Sequence, residues 1–255
     1  GVQTCALPIF EVDSAGHSNW RFGESALNRL QSKTPAVIPR QLWITGAQLQ
    51  FKNKPLNQNE RVEIQDFFLG LSADRTTYHV EALVHFRDVP IRVRGTLGGM
   101  GLWAEGNLEP VALQYTAGDI EGELSGEVAD IFDEGQVDLR YTARGDRLNT
   151  AGQLLDLAFD LDLGTTPFLF NAELQGNWQD ISLTDAVGAI TGQGIQIAMV
   201  GEARDLFRHN DLDFDLRVRS DSLNDLTATL GQSPLVAGPA DLTAPLRGRL
   251  RGELG

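Results

Sequence analysis

The chain has almost no sulfur chemistry available to it. Its 255 residues include one cysteine, Cys5, and two methionines. A lone thiol closes no disulfide within the chain. Cys5 also lies in an atypical stretch, GVQTCALPIF, which carries no charge although 22% of the chain is charged. That opening has no Lys or Arg, and Pro8 interrupts its short apolar run. It therefore lacks the basic region and apolar core of a secretory signal. No segment of the chain approaches the roughly 20 apolar residues of a membrane-spanning helix. Residues 1–9 resemble one reading frame of a sequencing adapter translated as protein. They are expected to be foreign to the native chain, which would begin near Phe10. Cys5 then says nothing of redox compartment, and a missing anchor upstream is no argument against one. Arg247–Leu254 still reads as strand, so a continuation past Gly255 is expected as well.

Lysine is scarce and the acids dominate. The net charge is −14 and the isoelectric point is about 4.6. Nucleic acid demands a basic face, so it is excluded as a partner. Docking on an anionic membrane through a basic patch is excluded on the same ground.

Catalytic signatures are missing too. No glycine-rich loop ends in Gly-Lys-Ser/Thr, so there is no P-loop. Gly192-Gln193-Gly194 continues with Ile197 where a dinucleotide fingerprint needs a third glycine. The stretches around Ser72 and Ser233 lack the closing glycine of a nucleophile elbow. His79, Glu81 and His85 share strand parity, but on the wet side of a single strand, and metal sites need convergent ligands. Asp211, Asp213 and Asp215 follow from period two alone, with no loop or glycine to wrap an ion. No enzyme activity, metal or cofactor is expected.

What the chain does have is alternation. In Asp211–Arg219, Leu212, Phe214, Leu216 and Val218 fall on one side and Asp or Arg on the other. Successive strand residues point to opposite faces, so one face is apolar and one is wet. The pattern recurs in Leu155–Leu163 (Leu157, Phe159, Leu161), Val137–Ala143 (Val137, Leu139, Tyr141), Val80–Phe86 (Val84, Phe86), Ile91–Val93, Ile195–Met199 (Ile197) and Leu49–Phe51. One-sided strands mark antiparallel sheet. The expected fold is mainly β, with few and short helices. Asp221–Gly231 has cap residues, a leucine face and a final glycine. Glu24–Leu30 is a weaker helical stretch, and Thr184–Ile190 is expected as one turn.

The chain also repeats itself. Gly126-Glu127, Asp130-Ile131-Phe132 and Leu148-Asn149 recur, at one constant offset, as Gly201-Glu202, Asp205-Leu206-Phe207 and Leu223-Asn224. Asp138-Leu139-Arg140 matches Asp215-Leu216-Arg217 with a two-residue insertion. Pro167–Gly176 matches Pro239–Gly248 in Pro, Ala, Leu and Gly. The expected organisation is an adapter-like segment (1–9), a leading β section (10–110), a first β repeat (111–180) and a second (181–255).

The apolar stripe, with Phe86, Tyr141, Phe159 and Phe214 in it, has two readings. It is either the core of a sandwich or the lining of an open groove. Periodicity cannot separate them, since both need one apolar face.

Ser222-Leu223, Leu226, Leu230-Gly231, Gly238-Pro239 and Leu246-Arg247-Gly248 form one ordered series, and Asn19-Trp20-Arg21-Phe22, Ile38–Asn53 and Val89–Gly98 form another ahead of it. Taken in order, the first series resembles the repeat unit, and the second the leading elements, of the AsmA family of Gram-negative envelope proteins. The first repeat departs from the pattern, because Leu148–Thr166 lacks a clear leucine-spaced helix motif. The family's N-terminal membrane helix and C-terminal part have no counterpart in the chain. The resemblance implies a periplasmic protein tethered to the inner membrane. It also implies a long wound sheet with an apolar groove and a part in outer-membrane biogenesis. The implied partners are phospholipid acyl chains, with Val84, Phe86, Val137, Leu139, Tyr141, Leu157, Phe159, Leu161, Ile197, Leu212, Phe214, Leu216 and Val218 as lining. The other reading is a structural β-scaffold for envelope assembly. An enzyme acting on envelope glycans is a distant third, supported by the Asp-rich strands alone.

Overall fold

A computed structural model describes residues 9–12, 40–53, 58–99, 108–129, 135–155, 166–177, 180–192, 195–204, 211–220 and 244–248. The described chain is mainly β, as the alternation predicts. Its strands are β1 (Ile9–Val12), β2 (Gln41–Asn53), β3 (Gln58–Leu71), β4 (Thr77–Phe86), β5 (Val89–Gly98), β6 (Glu109–Ala117), β7 (Ile120–Ala129), β8 (Gln136–Gly145), β9 (Phe168–Asn177), β10 (Asp180–Gly192), β11 (Ile195–Arg204), β12 (Asp211–Ser220) and β13 (Ala244–Gly248). One helix, α1, spans Leu148–Leu155. Strand order follows chain order. The short β1 runs parallel to β2. The other registers described are antiparallel.

Turn chemistry explains the hairpins. Arg87 and Asp88 join β4 to β5 with φ of 50° and 62°. Two central residues at positive φ make the primed turn whose twist matches paired strands. Arg87 then reaches back to form a salt bridge with Glu60 of β3. Between β3 and β4, Asp74 Oδ1 accepts from Ser72 Oγ at 2.5 Å and from the Thr76 N–H at 3.2 Å. These bonds to the carboxylate hold Asp74 below its usual pKa.

The chain divides into two compact units, Gly1–Tyr115 with Glu127–Gln136 and Gly255, and Thr116–Gly126 with Val137–Leu254. In the first, Leu69, Tyr78 and Val80 form a buried cluster against which Phe67, Leu71, Leu97 and Leu113 pack. Register produces it, because Leu69 stands opposite Val80 and Leu71 opposite Tyr78. A shift between Ile64 and Asp66 adds a residue to β3. That keeps Val62 and Ile64 on the same face as Phe67 and Leu69, although their numbers differ in parity.

The sequence repeat has a structural counterpart. Strand β7 begins at Ile120 and β11 at Ile195; β8 begins at Gln136 and β12 at Asp211. The offset is the same in both pairs, so the insertion placed before Asp215 is not needed. A strand of period two matches itself equally well after a slip of two residues, which accounts for that apparent insertion. A backbone contact repeats with the strands. A Cβ on Gly126 would stand 2.1 Å from the Asp138 carbonyl oxygen, and one on Gly201 would stand 2.2 Å from that of Asp213. Gly126 also has φ of 146°, a region closed to side chains.

Three local expectations change. Thr184–Ile190 is not a helical turn but part of β10. Asp185, at φ 47°, sits where the register slips against both β9 and β11. This β-bulge breaks the alternation across TDAVGAI and hides the strand. Leu155 ends α1 rather than opening a strand, and residues 156–165 lie outside the described residues. The first repeat does carry a helix: Leu148, Ala151, Gly152 and Leu155 fall at helical spacing, with Gly152 buried. The motif is hard to see because two of those four positions are Ala and Gly. The expected helices at 24–30 and 221–231 lie outside the described residues. So does any strand beyond Gly248.

Candidate functional site

The candidate site is the apolar face of the sheet, taken unit by unit. In the second unit the registers carry one apolar row across four strands. Phe168 of β9 stands opposite Ile190 of β10, Ile190 opposite Ile197 of β11, and Ile197 opposite Val218 of β12. The next row runs from Phe170 through Gly188 to Met199 and Leu216. Phe170 and Met199 fill the space above Gly188, where an added Cβ would meet Met199 at 2.6 Å and Phe170 at 3.3 Å. Tyr141 of β8 lies against Phe170, with ring centroids 6.2 Å apart.

Exposure grades along this face. Val137 and Leu139 of β8 are buried. Tyr141, Ile197, Met199, Phe214, Leu216 and Val218 are only partly buried. Of the sequence-derived lining, Ile197 and Val218 are cross-strand partners, and Phe214, Leu216 and Val218 share one strand. Leu212 pairs with Ala203. Leu157, Phe159 and Leu161 lie outside the described residues.

In the first unit, Val84 and Phe86 stand between Ile64 and Val62 of β3 and Ile91 and Val89 of β5. They belong to the same face as the Leu69–Tyr78–Val80 cluster. Tyr78 is almost fully buried, and burial pushes its phenol pKa up. Leu69 and Tyr78 are absent from the sequence-derived lining. The signal for Tyr78 is its parity with Val80, just outside the alternating run Val80–Phe86; Leu69 closes the unbroken apolar run Phe67-Phe68-Leu69, where alternation assigns no face.

The opposite face carries most of the charge, although Trp43 of β2, 67% exposed, stacks there on Phe68 of β3. Arg144 Nη2 donates to Glu121 Oε2 at 2.7 Å. Arg140 meets Glu173 at 3.4 Å. Such exposed pairs contribute about 0–1 kcal/mol each. His79 and Glu81 are exposed on this side of β4, while His85 is half-buried with Nδ1 unpartnered. Among the described residues no three His, Cys, Asp or Glu side chains converge as a metal site. No helix among them is long and apolar enough to cross a membrane.

Helix α1 is pinned to the turn between β6 and β7. Thr150 Oγ1 donates to Asp119 Oδ1 at 2.5 Å, and Arg147 Nε stands 3.6 Å from Asp119 Oδ2. Burial alone would raise the Asp119 pKa. The hydrogen bonds from Thr150 and the backbone, with the Arg147 charge, outweigh it and hold the carboxyl below its usual value. The excursion that contains α1 is closed at its base by the Thr166 N–H donating to the Asp146 carbonyl at 2.8 Å.

No family model matches the chain, and no curated protein or solved structure matches it.

Proposed function

We propose that the chain is a segment of an AsmA-like envelope protein that holds phospholipid acyl chains along its apolar sheet face. In this reading it is a non-enzymatic conduit in outer-membrane biogenesis, acting in the periplasm and tethered to the inner membrane. One observation carries most weight: Ile197, Met199, Phe214, Leu216 and Val218 adjoin in register yet are only partly buried. A folded sheet ordinarily buries such a row against a second layer. Here an acyl chain would supply the missing cover. Each CH₂ sequestered gains about 0.8 kcal/mol. A uniform apolar lining gives many similar positions and no deep trap, which suits movement along the face. The motif order of the AsmA resemblance supplies the envelope setting.

The first unit favours a second reading, a structural β-scaffold. Its Leu69–Tyr78–Val80 cluster is a packed core rather than an open lining.

Native mass spectrometry of the purified chain tests the conduit. Phospholipid adducts are expected, and they should be lost in Phe214→Asp/Leu216→Asp protein that keeps its far-ultraviolet circular dichroism. Bare wild-type chain that also fails to take up a fluorescent phospholipid from vesicles would overturn the conduit and leave the scaffold.

A further inference from the structure

The β10–β11 hairpin is apolar on its outward side as well as its inner one. Its outward positions include Val187, Ala189, Ala198 and Val200. Val187 stands opposite Val200, and Ala189 opposite Ala198. Leu169 of β9 stands opposite Ala189. Together they form one contiguous apolar patch on the wet side of the sheet. Val200 is 55% exposed, Leu169 50% and Val187 48%. Strands that are apolar on both faces are normally covered on both. An apolar patch rimmed by charge marks an interaction surface.

The rim says what covers it. Along the outward side of β12 come Asp213, Asp215, Arg217 and Arg219, all exposed. Register sets Asp215 beside Val200 and Arg217 beside Ala198. The sign of the rim therefore changes at the middle of the patch. A uniformly acidic or basic partner would meet one attractive half and one repulsive half. A second copy matches both. Consider a twofold axis in the interface plane, perpendicular to the strands, through that midpoint. It lays Asp215 against Arg217 of the other copy and Asp213 against Arg219, with Val200 over Ala198, Val187 over Ala189 and Leu169 over Asn171. This is the self-complementarity of an isologous contact. We infer that two copies of this chain dock through the outward face of β9–β12. The contact uses the side opposite the proposed lipid-holding face, so it does not depend on that proposal.

Sedimentation velocity on the full chain over a concentration series tests it. Wild type should move from monomer to dimer. Asp213→Arg/Asp215→Arg and Arg217→Asp/Arg219→Asp should each be monomeric alone, since each sets like charges together. Their equimolar mixture should restore a one-to-one dimer. Val200→Asp should weaken wild-type dimerisation at least about tenfold, because it buries an unpaired charge. Unchanged circular dichroism guards against misfolding, and Val200→Asp gives an independent reading if a double reversal fails to fold. A wild type that stays monomeric would overturn the inference. So would a dimer indifferent to Val200→Asp, or reversed variants that do not recombine.

Discussion

Gly201 lies so close to Asp213 on the neighbouring strand that a Cβ there would stand 2.2 Å from the Asp213 carbonyl oxygen and 2.6 Å from the Phe214 ring. Gly126 and Asp138 repeat the contact on β7 and β8. Gly201→Ala must therefore push the two backbones apart. A loss of about 2–3 kcal/mol is expected, in the range of core overpacking. Urea unfolding measures it. A change under about 0.5 kcal/mol, the scatter of ordinary surface substitutions, would mean that the strands do not approach so closely.

Asp119 should make stability depend on pH. Burial opposes its ionisation, but Thr150, the backbone and Arg147 outweigh burial and hold the carboxyl below its usual value. The folded state thus favours the ionised form. The stabilisation is fully present above the unfolded-state pKa of about 3.9 and is lost as the pH falls through the lower folded-state value. Asp119→Asn should cost about 1.5–3 kcal/mol at neutral pH, the worth of a hydrogen bond to a charged group. The gap between variant and wild type should close below about pH 4. Thermal melts of both proteins across the acid range show whether it does.

The two units should respond differently to the same truncation. Leu69 is buried in the first-unit cluster, so Leu69→Ala should cost about 2–5 kcal/mol. Leu216 is partly exposed on the second-unit face. With less surface to lose, Leu216→Ala should cost under about 1.5 kcal/mol. Equal losses in denaturant titrations would show Leu216 to be as well covered as Leu69, against an open lining.

The turn between β4 and β5 can be improved. Asp88 occupies the left-handed region at φ 62°, where glycine carries no steric penalty. Asp88→Gly should stabilise by about 0.5 kcal/mol, reduced from the full relief by the added freedom of the unfolded chain. A rise in the urea midpoint at unchanged slope is the expected signature. A fall would mean that the Asp88 side chain contributes a contact of its own.

Much of the fold was legible because strand alternation is a local signal. Val80–Phe86, Val137–Ala143, Ile195–Met199 and Asp211–Arg219 all lie in strands. The misses occur where the local signal fails. Asp185 inserts a bulge that scrambles the alternation of β10. In α1 the helical stripe is made of Leu148, Ala151, Gly152 and Leu155, so its apolar contrast is weak. For the candidate site, the sequence identified Ile197, Phe214, Leu216 and Val218 as sharing a kind of face. It held no sign that Ile197 stands opposite Val218, since pairing is a relation between strands.

The alternation, the acidic charge and the internal repeat belong to the sequence itself. They depend on residue order alone, and they determine one-sided antiparallel strands before any contact forms. Only the tertiary structure decided which apolar positions are buried, as at Leu69, Tyr78 and Val80, and which stay partly open, as at Phe214 and Leu216. It alone brought Val187 beside Val200 on the wet side. Burial and adjacency are set by cross-strand register, and register is fixed by turns, bulges and close glycine contacts acting between neighbouring strands rather than within one.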